Sequence, residues 1–304
     1  MMPASSPWWL LGAGAMGRLF AARLSVARPV CLIGRRDAPN VLHYRDPSGV
    51  DHALDVPCCT LTSLAVSDPT PPGLVVLATK SHDTQSALDA LSAHVDARTP
   101  LLLLQNGFRV QPIVTRQWLG PVLCASTTEG AYVESAPDGG TRVVHAGTGV
   151  TWIGDLDHTW PDLAHGVVEA LTAAGMRAQV DDDIAQRLWH KLAVNAAINP
   201  LVARHRIRNG QLRDRPFRRM VDALINEIGP LIEGQGIEPP AAGWSALIWQ
   251  VIEATADNRA SMLQDVLAGR PTEREAILGP LRDAARRQQR STPSLDALYR
   301  DTPS

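Results

Sequence analysis

Apolar and polar positions follow two different patterns along the chain, and the change falls near residue 182. Before it, apolar residues come in short continuous runs, typical of parallel strands covered on both faces. The predicted strands are 8–11, 30–33, 74–79, 101–104, 122–127, 141–145, 149–153 and 177–180. Helical patterns separate several of them, and a hairpin turn is predicted at 137–140. This alternation predicts an α/β domain over residues 1–182.

Beyond residue 182 the strand patterns stop and helical periodicity takes over. Predicted helices cover 183–199, 217–233 and one or two segments within 244–267, and a further helix opens at 272. Pro200 lacks an N–H group and should kink or end the first helix, and Pro230 should kink the second. Thr272 and Glu275 have the spacing of a capping box, and 291–304 reads as a partly frayed tail. The sequence therefore predicts an all-α domain over 183–304.

Composition narrows the class of protein. A chain of 304 residues with 45% hydrophobic and 20% charged residues is ordinary for a globular protein of two domains. Its net charge of -2 favours neither nucleic acid nor an anionic membrane as a partner, and no apolar run is long enough to span a bilayer. The N-terminus lacks the basic region of a signal peptide. The four cysteines suggest neither a metal site nor a disulfide framework, so we expect a cytoplasmic protein.

The first strand runs directly into a glycine-rich turn, Gly12-Ala13-Gly14-Ala15-Met16-Gly17. A helix and a second strand follow within about 30 residues, the setting that a dinucleotide-binding fingerprint requires. Gly12 would allow the tight turn, Gly14 would let the backbone approach the pyrophosphate, and Gly17 would let helix and strand pack closely. The phosphates would rest on the helix N-terminus, where free N–H groups and the helix dipole attract anions.

The tip of the second strand bears on the choice of cofactor. An acidic residue there suits the ribose hydroxyls of NAD, but this chain has Gly34-Arg35-Arg36. Two cations without an acid suit a 2′-phosphate, so we predict NADPH/NADP. Asp37 follows closely, and a solvated loop carrying two arginines is the alternative.

Two later strands also end in polar residues. Lys80 follows the strand 74–79, and Gln105-Asn106-Gly107 follows the strand 101–104. Ligands of open α/β sheets bind at the carboxyl ends of strands, which would place Lys80 and Asn106 beside a nicotinamide cofactor. Taken alone, Lys80 is a surface charge and Asn106-Gly107 is a turn pair.

The first helix of the second domain is apolar nearly all round, yet it carries Lys191, Asn195 and Asn199. Spaced at i, i+4 and i+8, they form one stripe, on the same side as the apolar Ile184 and Leu188. A buried ammonium and two buried amides need polar partners, from the protein or from a ligand. The alternative is a lysine that extends to solvent beside two asparagines bonded within the core.

Several motifs together resemble the ketopantoate reductase (2-dehydropantoate 2-reductase) family over nearly the whole chain. They are GAGAMG, Lys80 after LVVLAT, QNG at 105–107, STTEGA at 126–131, HAGTG at 145–149, LWHKLAVNAAINPL, RNG at 208–210, and ASMLQDV through RPTE. The resemblance implies a Rossmann-type domain followed by an all-α domain similar to the C-terminal domain of 6-phosphogluconate dehydrogenase. The chain departs from the family pattern at Arg274-Glu275, where an isoleucine-acid pair is expected, and in the charged stretch 204–206.

The resemblance also implies roles for individual residues. For the cofactor NADPH, these are Gly12, Ala13, Gly14, Ala15, Met16 and Gly17 at the pyrophosphate, Arg35 at the 2′-phosphate, and Lys80, Asn106, Ala131 and Glu273 at the nicotinamide. For catalysis they are Lys191 as general acid, with Asn106 and Glu273 in its network. For the substrate carboxylate and hydroxyl they are Asn195, Asn199, Asn209 and Ser261, beside Asn106 and Lys191.

The implied activity is the NADPH-dependent reduction of 2-dehydropantoate to (R)-pantoate, a step toward pantothenate and coenzyme A. The substrate would bind in the cleft between the two domains. A related NADP-dependent 2-keto-acid or opine-type dehydrogenase is one alternative, and a non-catalytic NADP-binding sensor is another. The residues leave the exact branched 2-keto acid and the oligomeric state open, a homodimer included.

Overall fold

The computed structural model describes residues 6–66, 70–136 and 140–303. By their contacts these residues form two compact units. The first comprises the chain up to Gln105 together with Gln111–Ile184, and the second comprises Asn106–Val110 together with the chain from Ala185 onward. The boundary predicted after residue 182 assigned Asn106–Val110 to the first domain, whereas the structure groups this segment with the helical unit.

The first unit alternates strands and helices. Its strands are β1 (Trp8–Leu11), β2 (Val30–Ile33), β3 (Val41–Arg45), β4 (Asp51–Asp55), β5 (Cys58–Cys59), β6 (Leu74–Leu77), β7 (Leu101–Leu103), β8 (Val122–Thr127), β9 (Gly130–Ser135), β10 (Thr141–Gly147), β11 (Thr151–Gly154) and β12 (Ala178–Val180). Its helices are α1 (Ala15–Leu24), α2 (Leu61–Val66), α3 (Thr84–Leu91), α4 (Val110–Gln117) and α5 (Pro161–Ala173).

The main sheet has the strand order β12-β11-β8-β7-β6-β1-β2-β5. Strand β1 pairs in parallel with both β2 and β6, and only the pairing of β8 with β11 is antiparallel among its described strands. Strands β1, β2, β6 and β7 are buried throughout, as their continuous apolar runs predict. The strand order reverses between β1 and β6, which is where an open α/β sheet leaves its ligand crevice. The predicted Rossmann-type fold is thus confirmed.

A second, four-stranded sheet with the order β4-β3-β10-β9 was not predicted. Strand β10 pairs antiparallel with β9, so β9 and not β8 is the partner across the predicted turn at 137–140. Residues 137–139 of that turn lie outside the described residues. Leu42 and Tyr44 of β3 and Val143 of β10 are buried in the core of this unit, so the small sheet extends that core.

The second unit is helical, as predicted. Its helices are α6 (Ile184–His205), α7 (Arg215–Glu233), α8 (Gly243–Ala254), α9 (Ser261–Leu267), α10 (Arg274–Gln288) and α11 (Pro293–Asp301). They share a hydrophobic core to which α6, α7, α8, α10 and α11 all contribute fully buried side chains. Among the described residues, no helix is both long enough and apolar enough to cross a membrane.

Three local predictions for this unit were wrong. Helix α6 does not end after Asn199 but continues through Pro200 to His205. Helix α7, by contrast, ends at Glu233 as predicted, with Pro230 inside it. The tail is not frayed, because 293–301 form α11 and its Leu295 and Leu298 are buried. Thr272 and Glu275 do not form a capping box, since α10 begins only at Arg274.

Candidate active site

The glycine-rich turn connects β1 to α1, and side chains are excluded at both of its ends. A Cβ on Gly12, whose φ is +120°, would lie 2.6 Å from the backbone of Ala78 and Thr79, just after β6. A Cβ on Gly17 would lie 1.9 Å from the carbonyl oxygen of Gly12. The turn and the packing of α1 against it therefore both require glycine.

Gly14 differs from these two glycines because a Cβ there would meet nothing within 4 Å. It is the N-cap residue of α1, and no side chain caps this helix N-terminus. The turn therefore offers uncapped backbone N–H groups beside open space, with Ala13, Ala15 and Met16 adding no charge of their own. This arrangement suits an anionic group such as a pyrophosphate.

The loop after β2 presents two exposed arginines, Arg35 and Arg36. The nearby acid, Asp37, is engaged elsewhere: its carboxylate accepts hydrogen bonds from the Thr60 backbone N–H at 2.9 Å and the Ser63 hydroxyl at 2.8 Å. These two bonds, that from Ser63 foremost, lower the pKa of Asp37 below its usual range. Asp37 is thus bonded to residues at the start of α2, which leaves the arginines as the groups at the strand tip suited to a phosphate.

Lys80 and Ala131 come from separate strands of the first unit. Lys80 follows β6 and is half-buried, and it precedes a short 3-10 helix at Ser81–Asp83. Ala131 lies in β9, half-buried, opposite His145 of β10.

A buried polar network beside Ala131 was missed at the level of the sequence. His145 Nε2 lies 2.6 Å from a Glu129 carboxylate oxygen, and His145 Nδ1 lies 3.2 Å from the Tyr44 hydroxyl. Burial alone would raise the pKa of Glu129, but hydrogen bonds from His145 and the Gly149 N–H lower it below its usual range. The network ties β3, β10 and the residue before β9 together. Its only signal in the sequence was the pair of motifs STTEGA and HAGTG.

In the second unit, α6 carries the predicted polar stripe. Asn199 is buried, and Lys191 and Asn195 are half-buried. Burial lowers the pKa of Lys191 from 10.5 to about 8, against the opposing attraction of Glu273. Its ammonium is therefore held among protein groups rather than extended freely into water.

The segment Asn106–Val110 brings the side-chain amide of Asn106 to Glu273, the carboxylate that interacts with Lys191. Gly107 has a φ of +87°, and a Cβ on it would lie 2.2 Å from the carbonyl oxygen of Ala276 in α10. This close approach seats the segment on the start of α10, where Asn106 Nδ2 donates a hydrogen bond of 3.3 Å to Glu273 Oε2. Lys191, Glu273 and Asn106 thus form one interacting group from three separate stretches of the chain.

Glu273 is a buried carboxylate directly before α10. It is the N-cap residue of that helix, and its side chain does not cap the helix. A buried carboxylate requires partners to offset lost hydration, and Asn106 and Lys191 supply an N–H donor and a positive charge.

Asn209 is buried and is held by a partner that the sequence did not reveal. Its Nδ2 donates to the Thr255 hydroxyl at 2.9 Å, and that hydroxyl donates to the Val251 carbonyl oxygen at 2.7 Å. The Asn209 Oδ1 atom is buried and has no hydrogen-bond partner among the described residues. An unpaired buried acceptor is costly, so this oxygen is available to a hydroxyl group of a ligand.

The remaining predicted substrate residue, Ser261, is exposed at the first position of α9. The structure therefore joins Lys191, Glu273 and Asn106 directly, ties Asn209 to Thr255 instead, and leaves Ser261 at the surface of its unit.

The two parts of the chain each match a known protein family. Residues 8–158 match the family "Ketopantoate reductase PanE/ApbA", and residues 183–301 match "Ketopantoate reductase PanE/ApbA C terminal". Together these matches cover most of the chain.

Two curated relatives agree with these matches, and one solved structure shares the fold. A 2-dehydropantoate 2-reductase of Vibrio cholerae is 32% identical over 95% of this chain and 94% of its own. One from Archaeoglobus fulgidus is 35% identical over 90% of this chain and 88% of its own. The crystal structure of a PanE/ApbA family ketopantoate reductase from Ralstonia eutropha JMP134 superposes with a TM-score of 0.84 at 23% identity, covering 97% of this chain and 96% of that one.

Proposed function

The chain belongs to the ketopantoate reductase family, and from this premise we propose that it reduces 2-dehydropantoate to (R)-pantoate with NADPH. The observation that carries the proposal is Lys191, an ammonium whose pKa burial lowers to about 8 beside the carboxylate of Glu273. A general acid works best when its pKa lies near the working pH, and this lysine meets that condition.

Reduction of an α-keto acid needs a hydride on the carbonyl carbon and a proton on the carbonyl oxygen. When bound, NADPH supplies the hydride. Lys191 stabilises the negative charge that develops on the oxygen and then donates a proton to it, which leaves the hydroxyl of the product and a neutral amine. Solvent reprotonates the amine before the next turnover.

In this step, Glu273 favours the charged form of Lys191, and Asn106 orients the carboxylate of Glu273. The carboxylate of Glu273 raises the pKa of Lys191 against the effect of burial, which preserves the protonated form that the reaction consumes. Asn106 donates to Glu273 and so limits the directions in which that carboxylate can point. We also assign Glu273 a contact with the carboxamide of the nicotinamide.

The substrate would be held mainly by neutral groups. Asn195, Asn199 and Ser261 offer donors to its carboxylate, and a second cation there would compete with Lys191. The unpaired Oδ1 of Asn209 supports a contact with the substrate's own hydroxyl group.

The described residues of the first unit fit NADPH. The uncapped turn at Gly12–Gly17 would take the pyrophosphate, and exposed Arg35 would take the 2′-phosphate. Lys80 and Ala131 would line the nicotinamide side, where the order of the strands reverses.

We place the reaction in the cytoplasm. All four cysteines are free thiols, and the Cys31 and Cys59 sulfur atoms share a thiol hydrogen bond of 3.3 Å, an arrangement that a reducing compartment would preserve. A homodimer stays a prediction, which light scattering on the purified protein would check.

The test follows NADPH absorbance after ketopantoate is added, with NADH as the cofactor control. We expect rapid oxidation of NADPH and much slower oxidation of NADH. Faster turnover of bulkier 2-keto acids than of ketopantoate would instead favour a related keto-acid dehydrogenase. Binding of NADPH without oxidation by any keto acid would favour a sensor and contradict the proposed function.

A further inference from the structure

The last helix of the chain, α11, is firmly built into the second unit. Leu295 and Leu298 are buried in the core, and the Glu227 carboxylate of α7 accepts hydrogen bonds of 2.8 Å from the backbone N–H groups of Ser294 and Leu295. The N-terminal end of α11 is therefore anchored to α7. The C-terminal end of α11 makes separate contacts.

The C-terminal end of α11 is attached to the residues on either side of Glu273. Thr272 donates its hydroxyl to the carbonyl oxygen of Pro303 at 2.7 Å. The guanidinium of Arg274 donates to the carbonyl oxygen of Thr302 at 2.7 Å and lies over the Tyr299 ring, 4.6 Å from its centroid. A hydrogen bond of 3.3 Å from the Arg274 N–H to the Thr272 hydroxyl closes the arrangement.

Glu273 depends on this attachment for its direction. The preceding loop, residues 268–271, is exposed, and the Glu273 side chain does not cap α10. The backbone at 272–274 decides where the Glu273 carboxylate points, because this side chain is buried and has little freedom of its own. Thr272 and Arg274 bond this backbone directly to the residues at the end of α11, and the Tyr299 hydroxyl adds a bond to Glu275 one position later.

We propose that Arg274 is a positioning residue which, by clamping α10 to Tyr299 and Thr302, aims the Glu273 carboxylate at Lys191. The proposal deepens the reductase mechanism and rests on it. It also gives the C-terminal residues 299–303 a part in the reaction, through their contacts with Thr272 and Arg274.

A second link joins the same helix to α6, which carries Lys191. Arg204 pairs with Asp301 at 2.8 Å, but their side chains are 38% and 43% exposed. Exposed ion pairs contribute little to stability, so Arg274 and Thr272 are expected to dominate.

The test compares Arg274→Met with a matched control, Arg282→Met. Arg282 also belongs to α10 and also lies over the Tyr299 ring, at 3.9 Å, but it pairs with Asp296 and not with the carbonyl groups after α11. We expect Arg274→Met to lower kcat for ketopantoate about 10- to 100-fold, the range for small misplacement of a reacting group. Arg282→Met should change kcat less than about threefold.

A second readout does not require activity. The pKa of Lys191 is measured in both variants from the pH dependence of its acylation by an amine-reactive reagent, followed by mass spectrometry. Displacement of Glu273 removes an attraction that raises the pKa of Lys191, so Arg274→Met should lower it by up to about one unit. Simple loss of a cation would shift this pKa in the opposite direction, so the sign separates the two causes.

Two further variants control for folding. Glu227→Gln loosens the anchored end of α11 and should leave the pKa of Lys191 unchanged. Thr272→Val loses the bond to Pro303 with little change in shape and should repeat the effect of Arg274→Met even if that variant folds poorly. An unchanged Lys191 pKa in Arg274→Met or Thr272→Val, or an equal fall in Glu227→Gln, would overturn the positioning role. An inactive wild type would contradict the proposed function alone.

Discussion

At the scale of single residues, two opposing effects set the charge of Lys191. Burial favours the neutral amine, and Glu273 favours the ammonium. Burial is the larger effect, so the pKa falls from 10.5 to about 8 and does not rise. A pKa in this position lets one lysine both carry its proton at neutral pH and release it to an alkoxide.

The first prediction concerns pH. Because the reaction consumes the ammonium form of Lys191, kcat/KM for reduction should be constant below its pKa of about 8 and fall about tenfold per pH unit above it. Steady-state rates between pH 6 and 10, with an Arg35→Ala control for cofactor binding, measure this. A profile that stays flat to pH 10 would contradict the role of Lys191.

The second prediction concerns the cofactor. Arg35→Ala should weaken NADPH binding about 10- to 100-fold, the effect of losing a hydrogen bond to a charged group, and should leave NADH binding nearly unchanged. Titration by fluorescence gives both dissociation constants. Arg36→Ala, which removes the same charge one position later, is compared with it and should weaken NADPH binding less if Arg35 makes the main phosphate contact. Equal weakening of NADPH and NADH would remove the phosphate role of Arg35.

Some of these residues could be found from the sequence and others could not. The stripe of Lys191, Asn195 and Asn199 follows from helical periodicity, which is local. The bonds of Asn106 to Glu273 and of Asn209 to Thr255 join residues 167 and 46 positions apart, and no local pattern encodes such pairs. The resemblance to a family supplied the roles, while their hydrogen-bond partners came only from the structure.

At the scale of elements, local rules predicted where helices and strands occur better than where they end. Each proline inside α6 and α7 removes one backbone hydrogen bond and costs about 3 kcal/mol. The next turns bury Leu201, Val202, Leu231 and Ile232, and each such side chain contributes about 1.5–3 kcal/mol. Packing therefore outweighs the local penalty, and both helices continue.

Strands β3 and β4 of the small sheet were not predicted, because their pairing depends on residues distant in the sequence. Strand β3 has only two fully buried positions, Leu42 and Tyr44, and β4 alternates exposed and half-buried positions, so neither has the fully buried run that marks the main sheet. They form a sheet because β3 also pairs with β10, about 100 residues later in the chain.

The third prediction separates two glycines of the turn after β1. Gly17→Ala places a Cβ against the backbone of Gly12, so it should destabilise the protein by about 1–3 kcal/mol and weaken NADPH binding. Gly14→Ala has room in the free protein, so it should keep the melting temperature and lose only NADPH affinity. Thermal unfolding and cofactor titration of both variants check this. Equal melting temperatures for the two variants would show that the packing of α1 does not require Gly17.

At the scale of the whole molecule, the described residues form two hydrophobic cores, one in each unit. The change from strand patterns to helical patterns predicted these two classes of structure correctly. It assigned Asn106–Val110 by sequence position alone, and the positive φ of Gly107 that seats this segment on α10 cannot be read from a local pattern. The substrate cleft expected between the domains stays a prediction.

The fourth prediction concerns cofactor-linked stability. NADPH at a hundred times its dissociation constant should raise the free energy of unfolding by about 2.7 kcal/mol, because it binds the folded state alone. Calorimetry with NADPH should show a higher unfolding temperature, and NADH at the same concentration should have a smaller effect. An identical shift with both cofactors would contradict the preference for NADPH.

The most direct measurement for the account as a whole is the turnover of Lys191→Ala with saturating NADPH and ketopantoate. Loss of a general acid predicts a fall of roughly two to four orders of magnitude in kcat, while NADPH still binds with the affinity of the wild type. A kcat within a few-fold of the wild-type value would contradict the central claim that Lys191 supplies the proton.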